Sequence, residues 1–168
     1  MILVEGLRDN GHDPQYRASK IIVLKNAVWT PNEKGSQYHF AWKYDGNRVY
    51  GWNGANGYCS GLGGGWKGVS IESNGESSFI NDIISGERLP WIWTGGRRKG
   101  RDFAWSSGKP FTGLNWSHTG LTGKRQPDNR EAGGENCLAI LNNFYKDGVK
   151  WHDVGCSHEK SIICEKSN

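Results

Sequence analysis

The chain has 168 residues and a formal net charge of +4, and 35% of its residues are hydrophobic while 23% are charged. This length suits one domain with a real core, and the composition excludes a disordered chain. No apolar run approaches the roughly 20 residues that a membrane-spanning helix needs, so we expect no membrane span. The 25 glycines and 9 tryptophans predict many tight turns around large aromatic anchors.

The densest positive charge lies in one short stretch that also contains glycine. It consists of Arg97, Arg98, Lys99 and Arg101. A site for nucleic acid or another anionic polymer normally needs a broader basic stripe with interleaved aromatic residues. We therefore interpret the stretch as a solvated surface loop and expect no nucleic-acid partner.

Four cysteines allow three disulfide pairings: Cys59, Cys137, Cys156 and Cys164. Their spacing does not match a zinc site. An even number of cysteines in a small glycine-rich chain favours an oxidising compartment, so we expect two disulfides and an extracellular protein, either secreted or the ectodomain of a larger one. The start of the chain lacks the pattern of a signal peptide, as in a mature form, and the glycosylation triplet at Asn115 adds weak support for secretion.

The first part of the chain predicts strands. An apolar run at residues 21–24 predicts one strand, which we place in an N-terminal extension, residues 1–36, at the edge of the main domain. Further along, alternate residues carry aromatic rings: Tyr38, Phe40, Trp42 and Tyr44. This alternation predicts a strand with one aromatic face. Asp45 and Gly46 predict a hairpin turn that returns residues 49–52 antiparallel to it.

The clearest helix begins at Ser73. Ser73 and Glu76 have the spacing of a capping box, in which a hydroxyl and a carboxylate accept hydrogen bonds from N–H groups left free at the helix start. Apolar residues then recur at helical spacing: Phe79, Ile80, Ile83 and Ile84. A second helix is predicted around Cys59. It should be weaker than the first, because the glycines on either side of Cys59 lower helix propensity.

Five apolar segments after the helix predict strands, and one long loop separates them. The strands cover residues 91–94, 103–105, 137–141, 149–151 and 162–164. We assign four tryptophans of this region to the core: Trp91, Trp93, Trp105 and Trp151. The loop between residues 105 and 137 is rich in small and polar residues, and such a long loop in a compact domain usually carries function. Helices followed by strands predict an α+β fold with mostly antiparallel pairing.

Several of these segments occur together, in the same order, in one known family. The segments are residues 91–95 (WIWTG), 126–128 (QPD), 135–137 (ENC), 151–156 (WHDVGC) and 162–165 (IICE). With Cys59 they resemble a C-type lectin-like domain, and the resemblance covers roughly residues 38–166. The segments around residues 126–131 and 141–145 look especially like those of secreted arthropod members.

The resemblance implies an α+β fold of the C-type lectin-like kind. In this fold two helices flank small antiparallel sheets, with a long ligand-binding loop and two disulfides. The resemblance assigns residues 37–168 to this domain. It also implies which cysteines pair, namely Cys59 with Cys164 and Cys137 with Cys156.

In sugar-binding members of the family a calcium ion bridges the protein and the sugar hydroxyls. The motif positions assign the metal ligands to Gln126, Asp128, Glu135 and Asp153. Calcium prefers about 6–8 oxygen ligands, and three carboxylates with one amide are a suitable start. His152 stands where the family has an Asn, and an imidazole nitrogen suits calcium poorly. We therefore expect a weakened calcium site and treat His152 as a structural residue that faces the ligand.

The Gln-Pro-Asp order resembles the galactose-preferring version of the family, so we expect a carbohydrate or glycoprotein ligand. Galactose binders usually place an aromatic platform just after this motif. Here Arg130 takes that place and Trp116 is the candidate substitute, so we include both among the ligand-binding residues. The alternative is a calcium-independent module that binds a protein or a glycan through the long loop. No catalytic motif is present, and a shared metal explains the clustered acids better than glycosidase chemistry, so we expect no enzyme.

Overall fold

The computed structural model describes residues 35–167, which form seven strands and two α-helices. The strand predicted at residues 21–24, and nearly all of the proposed N-terminal extension, lie outside the described residues. Within the described range no helix is both long enough and apolar enough to cross a bilayer.

The strands form two antiparallel sheets, and the helices lie against them. The strands are β1 (Gln37–Phe40), β2 (Lys67–Gly68), β3 (Trp91–Lys99), β4 (Asp102–Trp105), β5 (Cys137–Asn142), β6 (Val149–Val154) and β7 (Ile163–Lys166), and the helices are α1 (Trp52–Gly61) and α2 (Asn74–Gly86). One sheet has the order β1-β7-β2 and the other the order β4-β3-β5-β6. The predicted α+β fold with antiparallel pairing is confirmed, and so are the helix around Cys59 and the five late strands.

The predicted aromatic hairpin is wrong. Strand β1 ends at Phe40, a 3-10 turn follows, and β1 pairs with β7 instead of with residues 49–52. The turn itself exists, because Gly46 has a positive φ of 76° and the Arg48 N–H donates to the Asp45 carboxylate (3.1 Å). Its return segment forms a single bridge from Tyr50 to a distant part of the chain. The predicted turn at Asp45 and Gly46 is therefore confirmed. The partner of β1 is β7, which lies more than a hundred residues away in sequence, and no local pattern points to it.

Helix α2 begins as the capping pattern predicts. The Ser73 hydroxyl oxygen accepts a hydrogen bond from the Glu76 N–H (3.2 Å), and the Glu76 carboxylate accepts one from the Glu72 N–H (2.9 Å). A capping box would instead place that second bond on Ser73, so the carboxylate reaches one residue further back. Ile80 and Ile84 are fully buried, which fixes the face that α2 presents to the core.

The core lies between α2 and the four-stranded sheet. Its centre holds side chains with no exposed surface, among them Ile92, Leu138, Ile140 and Trp151. Burial of each such side chain contributes about 1.5–3 kcal/mol to the free energy of unfolding. Of the four tryptophans assigned to the core, three are buried, but Trp91 is only partly buried.

One disulfide ties helix α1 to the three-stranded sheet, and the other closes one end of the β5–β6 pair. Cys59 of α1 bonds to Cys164 of β7, and Cys137 of β5 bonds to Cys156 just after β6. These are the pairs that the resemblance implies. The second disulfide lies next to the end of the long loop, residues 106–136, and so connects that loop to the edge where β5 begins and β6 ends.

The long loop is held against β6 by backbone hydrogen bonds. The Trp151 N–H donates to the Asn115 carbonyl (2.9 Å), and the Ser117 N–H donates to the Trp151 carbonyl (3.0 Å). The Gln126 N–H in turn donates to the Ser117 carbonyl (2.9 Å). Residues 126–128 are thereby fixed beside the residues that follow Trp151 on β6.

Candidate functional site

Three acidic side chains from separate parts of the chain meet beside the long loop. Asp128 comes from the loop, Glu135 from its last turn before β5, and Asp153 from β6. Each offers a carboxylate oxygen, and these oxygens lie within 4.8 Å of one another. The structure thus brings together the three carboxylates among the four candidate metal ligands, and we call them the acid cluster.

Backbone amides of the loop hold the acid cluster in place. The peptide bond between Gln126 and Pro127 is cis. The N–H groups of Asp128 and Asn129 donate to the two carboxylate oxygens of Asp153, at 3.0 and 2.9 Å. The loop therefore wraps around the Asp153 carboxylate and places Asp128 next to it.

Glu135 is held by the same turn of the loop. The Arg130 N–H donates to Glu135 Oε2, and the Glu135 N–H donates to the side-chain oxygen of Asn129 (2.7 Å). Asn129 has a positive φ of 51°, a conformation that asparagine adopts more readily than most residues. The turn thus directs the Glu135 carboxylate towards Asp128 and Asp153.

Arg98 brings a positive charge to the acid cluster, which the sequence reading missed. Its Nη2 lies 2.7 Å from Asp153 Oδ2, and its Nε and Nη2 donate to the Glu135 carbonyl at 3.2 and 3.1 Å. The guanidinium also lies over the Phe103 ring, 4.8 Å from its centroid. The interpretation of this stretch as a loop is therefore wrong for Arg97, Arg98 and Lys99, which lie on β3, and the expected solvation is wrong for Arg98. Its neighbours Arg97 and Lys99 are exposed, so strand alternation was the signal that separated them.

The charges of the acid cluster oppose one another. Burial raises the pKa of Glu135 to about 7, the Arg130 N–H acts in the opposite direction, and repulsion from Asp153 and Asp128 raises it further. Burial also raises the pKa of Asp153. The hydrogen bonds from the loop amides and the charge of Arg98 offset part of that rise. A cation at this point would relieve the repulsion among the three carboxylates.

His152 faces the same region from β6. It is only 3% exposed, and its Nε2 has no hydrogen-bond partner among residues 35–167. Burial lowers the pKa of His152 to about 4, so the imidazole is neutral at physiological pH. The His152 ring packs against the Tyr145 ring, with centroids 5.2 Å apart. His152 thus packs by its ring, and its Nε2 is buried without the hydrogen bond that a structural histidine usually makes.

The donor set suits one calcium ion with few protein ligands. In the described part of the chain, the Asp128 carboxylate, Glu135 Oε1 and the Gln126 side-chain oxygen accept no hydrogen bond, and Asp153 Oδ1 accepts one. These four side chains provide hard oxygen ligands, while His152 does not. The protein supplies fewer oxygens than the about 6–8 that calcium prefers, so waters or ligand hydroxyls would have to complete the coordination of an ion here.

A cavity of about 370 Å³ opens beside the acid cluster. Its lining includes oxygen-bearing side chains, those of Gln126, Asp128, Glu135 and Asp153, and aromatic side chains, those of Trp91, Phe144 and Tyr145. We call this cavity the loop pocket. Leu121 at its rim is 87% exposed and Phe144 is 56% exposed. Arg130 and His152 also line it.

The aromatic residues in the lining of the loop pocket were not predicted. Trp91 had been assigned to the core, and Phe144 and Tyr145 follow β5 in a turn that the sequence alone did not connect to the site. Single exposed apolar residues are common on protein surfaces, so Phe144 gave no specific signal in the sequence.

Trp116 packs inside the loop and does not line the loop pocket. Its ring lies against the rings of Phe103 and Trp151, with centroids 5.2 and 5.9 Å apart.

The neighbouring Asn115 donates its side-chain N–H to the Val149 carbonyl (2.9 Å). The amide nitrogen that a glycan would use is therefore engaged in holding the loop to β6.

Comparison with known proteins identifies the family. The lectin C-type domain family matches residues 48–166. E-selectin of Equus caballus is 28% identical over 99 residues, which cover 57% of this chain but only 15% of E-selectin, so the chain spans a small part of that relative. A C-type lectin mannose-binding isoform of Oxyuranus scutellatus is 27% identical over 120 residues, covering 68% of this chain and 69% of that protein.

Solved structures show the same fold. The C-type lectin domain of murine dendritic cell inhibitory receptor 2, determined in complex with N-glycan, matches with a TM-score of 0.64 and 21% identity, over 88% of this chain and all of that domain (100%). At this identity the likeness concerns the fold alone. Because the family match covers most of the chain and includes both disulfides and the acid cluster, the chain belongs to the C-type lectin domain family.

Proposed function

We propose that this chain binds a carbohydrate in the loop pocket, with one calcium ion held by Gln126, Asp128, Glu135 and Asp153. The observation that carries the proposal is that one cavity joins these oxygen donors to the rings of Trp91, Phe144 and Tyr145. A sugar has hydroxyl groups at its edge and apolar C–H groups on its face. Oxygen-bearing side chains and aromatic rings that line the same cavity match those two surfaces.

Calcium would coordinate two hydroxyls of the sugar while it neutralises the acid cluster. The chain's own residues do the rest: the amides of the loop orient the carboxylates, the Asp128 carboxylate accepts from the sugar hydroxyls, and the Gln126 side-chain N–H donates to them. The Gln-Pro-Asp order supports a preference for galactose. Phe144, in place of the missing platform at Arg130, provides the exposed ring on which the sugar face lies.

Binding explains the site better than catalysis does. Members of the family are generally non-enzymatic binding modules. Two carboxyl groups of a glycosidase stand about 5 Å or more apart on opposite sides of a bond. Here three carboxylates converge within 4.8 Å and are fixed by backbone amides, which suits a shared cation.

We propose an extracellular location, because two disulfides stabilise the domain and both need an oxidising compartment. Residues 37–168 would form the lectin module, with residues 1–36 as an extension to it. The ligand is then a free glycan or the glycan of a glycoprotein.

A second candidate function is calcium-independent binding of a protein or a glycan through the long loop. One observation favours it: Arg98 already pairs with Asp153, so part of the negative charge is neutralised without a metal. Metal dependence of sugar binding separates the two candidates.

Calorimetric titration of calcium, with and without galactose, tests the proposal. We expect the wild type and the control Asp82→Ala, an exposed acid on α2, to release heat with calcium and then with galactose. Asp128→Ala should bind neither, because it removes a ligand oxygen from a set that is already small. A wild type that gives no heat with calcium contradicts the calcium site. Glycan binding that persists in EDTA favours the second candidate, and a wild type that binds no glycan in either condition contradicts carbohydrate binding.

A further inference from the structure

Lys160 is a buried lysine in the wall of the loop pocket. Its backbone N–H and carbonyl both bond to Tyr50, each at 3.0 Å, so its position is fixed just before β7. The residue is only 5% exposed, yet it lines the same cavity as the acid cluster. Lysine is among the residues most rarely buried without a partner, so its surroundings need an explanation.

The Lys160 ammonium lies over two tryptophan rings. It is 4.9 Å from the Trp91 ring centroid and 5.0 Å from that of Trp93. In the part of the chain that the structure describes, the ammonium makes no hydrogen bond and no ion pair. The ring faces attract its charge but accept none of its three N–H bonds in the way that an oxygen does. A water molecule or a ligand group in the pocket can accept those bonds.

The other charges that line the loop pocket are largely engaged with one another. Asp153 pairs with Arg98, and Glu131 lies 2.8 Å from His158 Nε2. Burial lowers the pKa of Lys160 to about 8 and the charge of Glu131 acts in the opposite direction, so the ammonium is mostly protonated at neutral pH. Asp128 and Glu135 belong to the proposed calcium site, and Glu159 is exposed.

Two cationic side chains thus face the pocket without an acidic partner. They are Lys160 and the exposed Arg130, whose guanidinium makes no hydrogen bond to residues 35–167. A calcium ion at the acid cluster, together with the ion pairs of Asp153 and Glu131, would offset most of the negative charge of the lining. The buried Lys160 ammonium then has N–H groups that can donate to an anionic group of a ligand.

We propose that Lys160 forms an anion-binding subsite of the loop pocket, which takes the carboxylate or sulfate group of an acidic sugar. This inference rests on the proposed function, since it needs a sugar in the same cavity. The anion accepts the N–H bonds of the ammonium while the rings of Trp91 and Trp93 support the lysine from behind. A charge-assisted hydrogen bond in a site shielded from water is about twice as strong as a neutral one, so the acidic sugar binds more tightly than its neutral form.

Calorimetric titration of three matched sugars in the presence of calcium tests the subsite. The sugars are galactose, galacturonate and a sulfated galactose, and the proteins are the wild type, Lys160→Met and Lys99→Met. Methionine keeps the apolar packing on the two tryptophans and removes the charge. Lys99 is an exposed lysine that does not line the pocket, so Lys99→Met controls for the change in net charge.

We expect the wild type and Lys99→Met to bind at least one acidic sugar about tenfold or more tightly than galactose. Lys160→Met should bind galactose as the wild type does and lose the preference. The acidic sugar that shows the preference identifies the anion as carboxylate or sulfate. A wild type that binds galactose but no acidic sugar more tightly overturns the subsite and leaves the proposed function standing.

A preference that survives in Lys160→Met overturns the subsite in the same way. So does a Lys160→Met variant that only melts at a lower temperature while its choice among the sugars is unchanged, because that result assigns the lysine a purely structural role. If the wild type binds none of the three sugars, the proposed function and the subsite are both contradicted.

Discussion

Glu135 shows at the scale of one residue why the acid cluster is unfavourable without a cation. Its carboxyl group is buried beside Asp128 and Asp153, and its pKa is raised to about 7. An unfolded glutamate has a pKa of about 4.3. The folded state therefore binds a proton that the unfolded state releases over the pH range between these values, and the charged form of Glu135 weakens the fold.

We predict a pH dependence of stability that belongs to Glu135. Because its folded pKa is raised, its contribution to stability is complete below about pH 4 and is lost as the pH rises through about 7. In EDTA, the wild type should lose on the order of 2 kcal/mol of unfolding free energy between about pH 5 and pH 8, relative to Glu135→Gln. Urea unfolding at a series of pH values measures the difference. Parallel profiles for the two proteins would contradict the assignment, and calcium should flatten the wild-type profile.

Strand β3 shows at the scale of an element how the core and the site are joined. Its first half, with Ile92 and Trp93, is buried between β5 and the helices. The register with β5 is irregular between Trp93 and Arg97, and beyond that point the strand carries charged residues. Arg98 leaves this second half of the strand and reaches Asp153 and the Glu135 carbonyl, so β3 supports the loop from beneath.

We predict that Arg98→Met destabilises the metal-free domain. The change keeps much of the apolar contact with Phe103 but leaves the buried Asp153 carboxylate without its guanidinium partner. The cost should be about 1.5–3 kcal/mol of unfolding free energy, with little change in Lys99→Met as the control. Chemical denaturation in EDTA measures the loss. Calcium should restore more stability to Arg98→Met than to the wild type, and equal stability of the two proteins in EDTA would show that the ion pair contributes nothing.

The two disulfides act at the scale of the whole molecule, and each has a different task. Cys59–Cys164 spans 105 residues and joins α1 to the C-terminal strand, so it closes the domain. Cys137–Cys156 spans 19 residues and its cysteines lie two and three positions from Glu135 and Asp153. The first bond limits the unfolded chain more, while the second is closer to the residues that would bind calcium and sugar.

We predict that paired cysteine-to-alanine changes separate these tasks. Loss of Cys59–Cys164 should cost about 5 kcal/mol of unfolding free energy, and loss of Cys137–Cys156 about 3 kcal/mol, since the chain-entropy estimate grows with loop size. Chemical denaturation gives the order of the two values. Calcium titration should show the larger loss of affinity in the variant without Cys137–Cys156, and an unchanged affinity there would mean that the acid cluster is held by its hydrogen bonds alone.

The sequence by itself determined those features whose cause is local. The Ser73 cap, the apolar strands, the glycine turn after Asp45 and the ordered motifs with four cysteines all depend on residues close together in the chain or on a pattern that repeats along it. The ordered motifs carried the family resemblance, and the resemblance in turn implied the fold, both disulfide pairs and the three acids that meet in the acid cluster.

Only the tertiary structure decided the contacts that join distant segments. The pairing of β1 with β7, the reach of Arg98 into the acid cluster, the aromatic wall with Phe144 and the place of Lys160 over two tryptophans each depend on packing between parts of the chain that are far apart in sequence. A charge next to glycines looks the same whether it points to water or to a buried carboxylate. The direction of the side chain settles that, and the direction is set by the neighbouring strand and not by the residue itself.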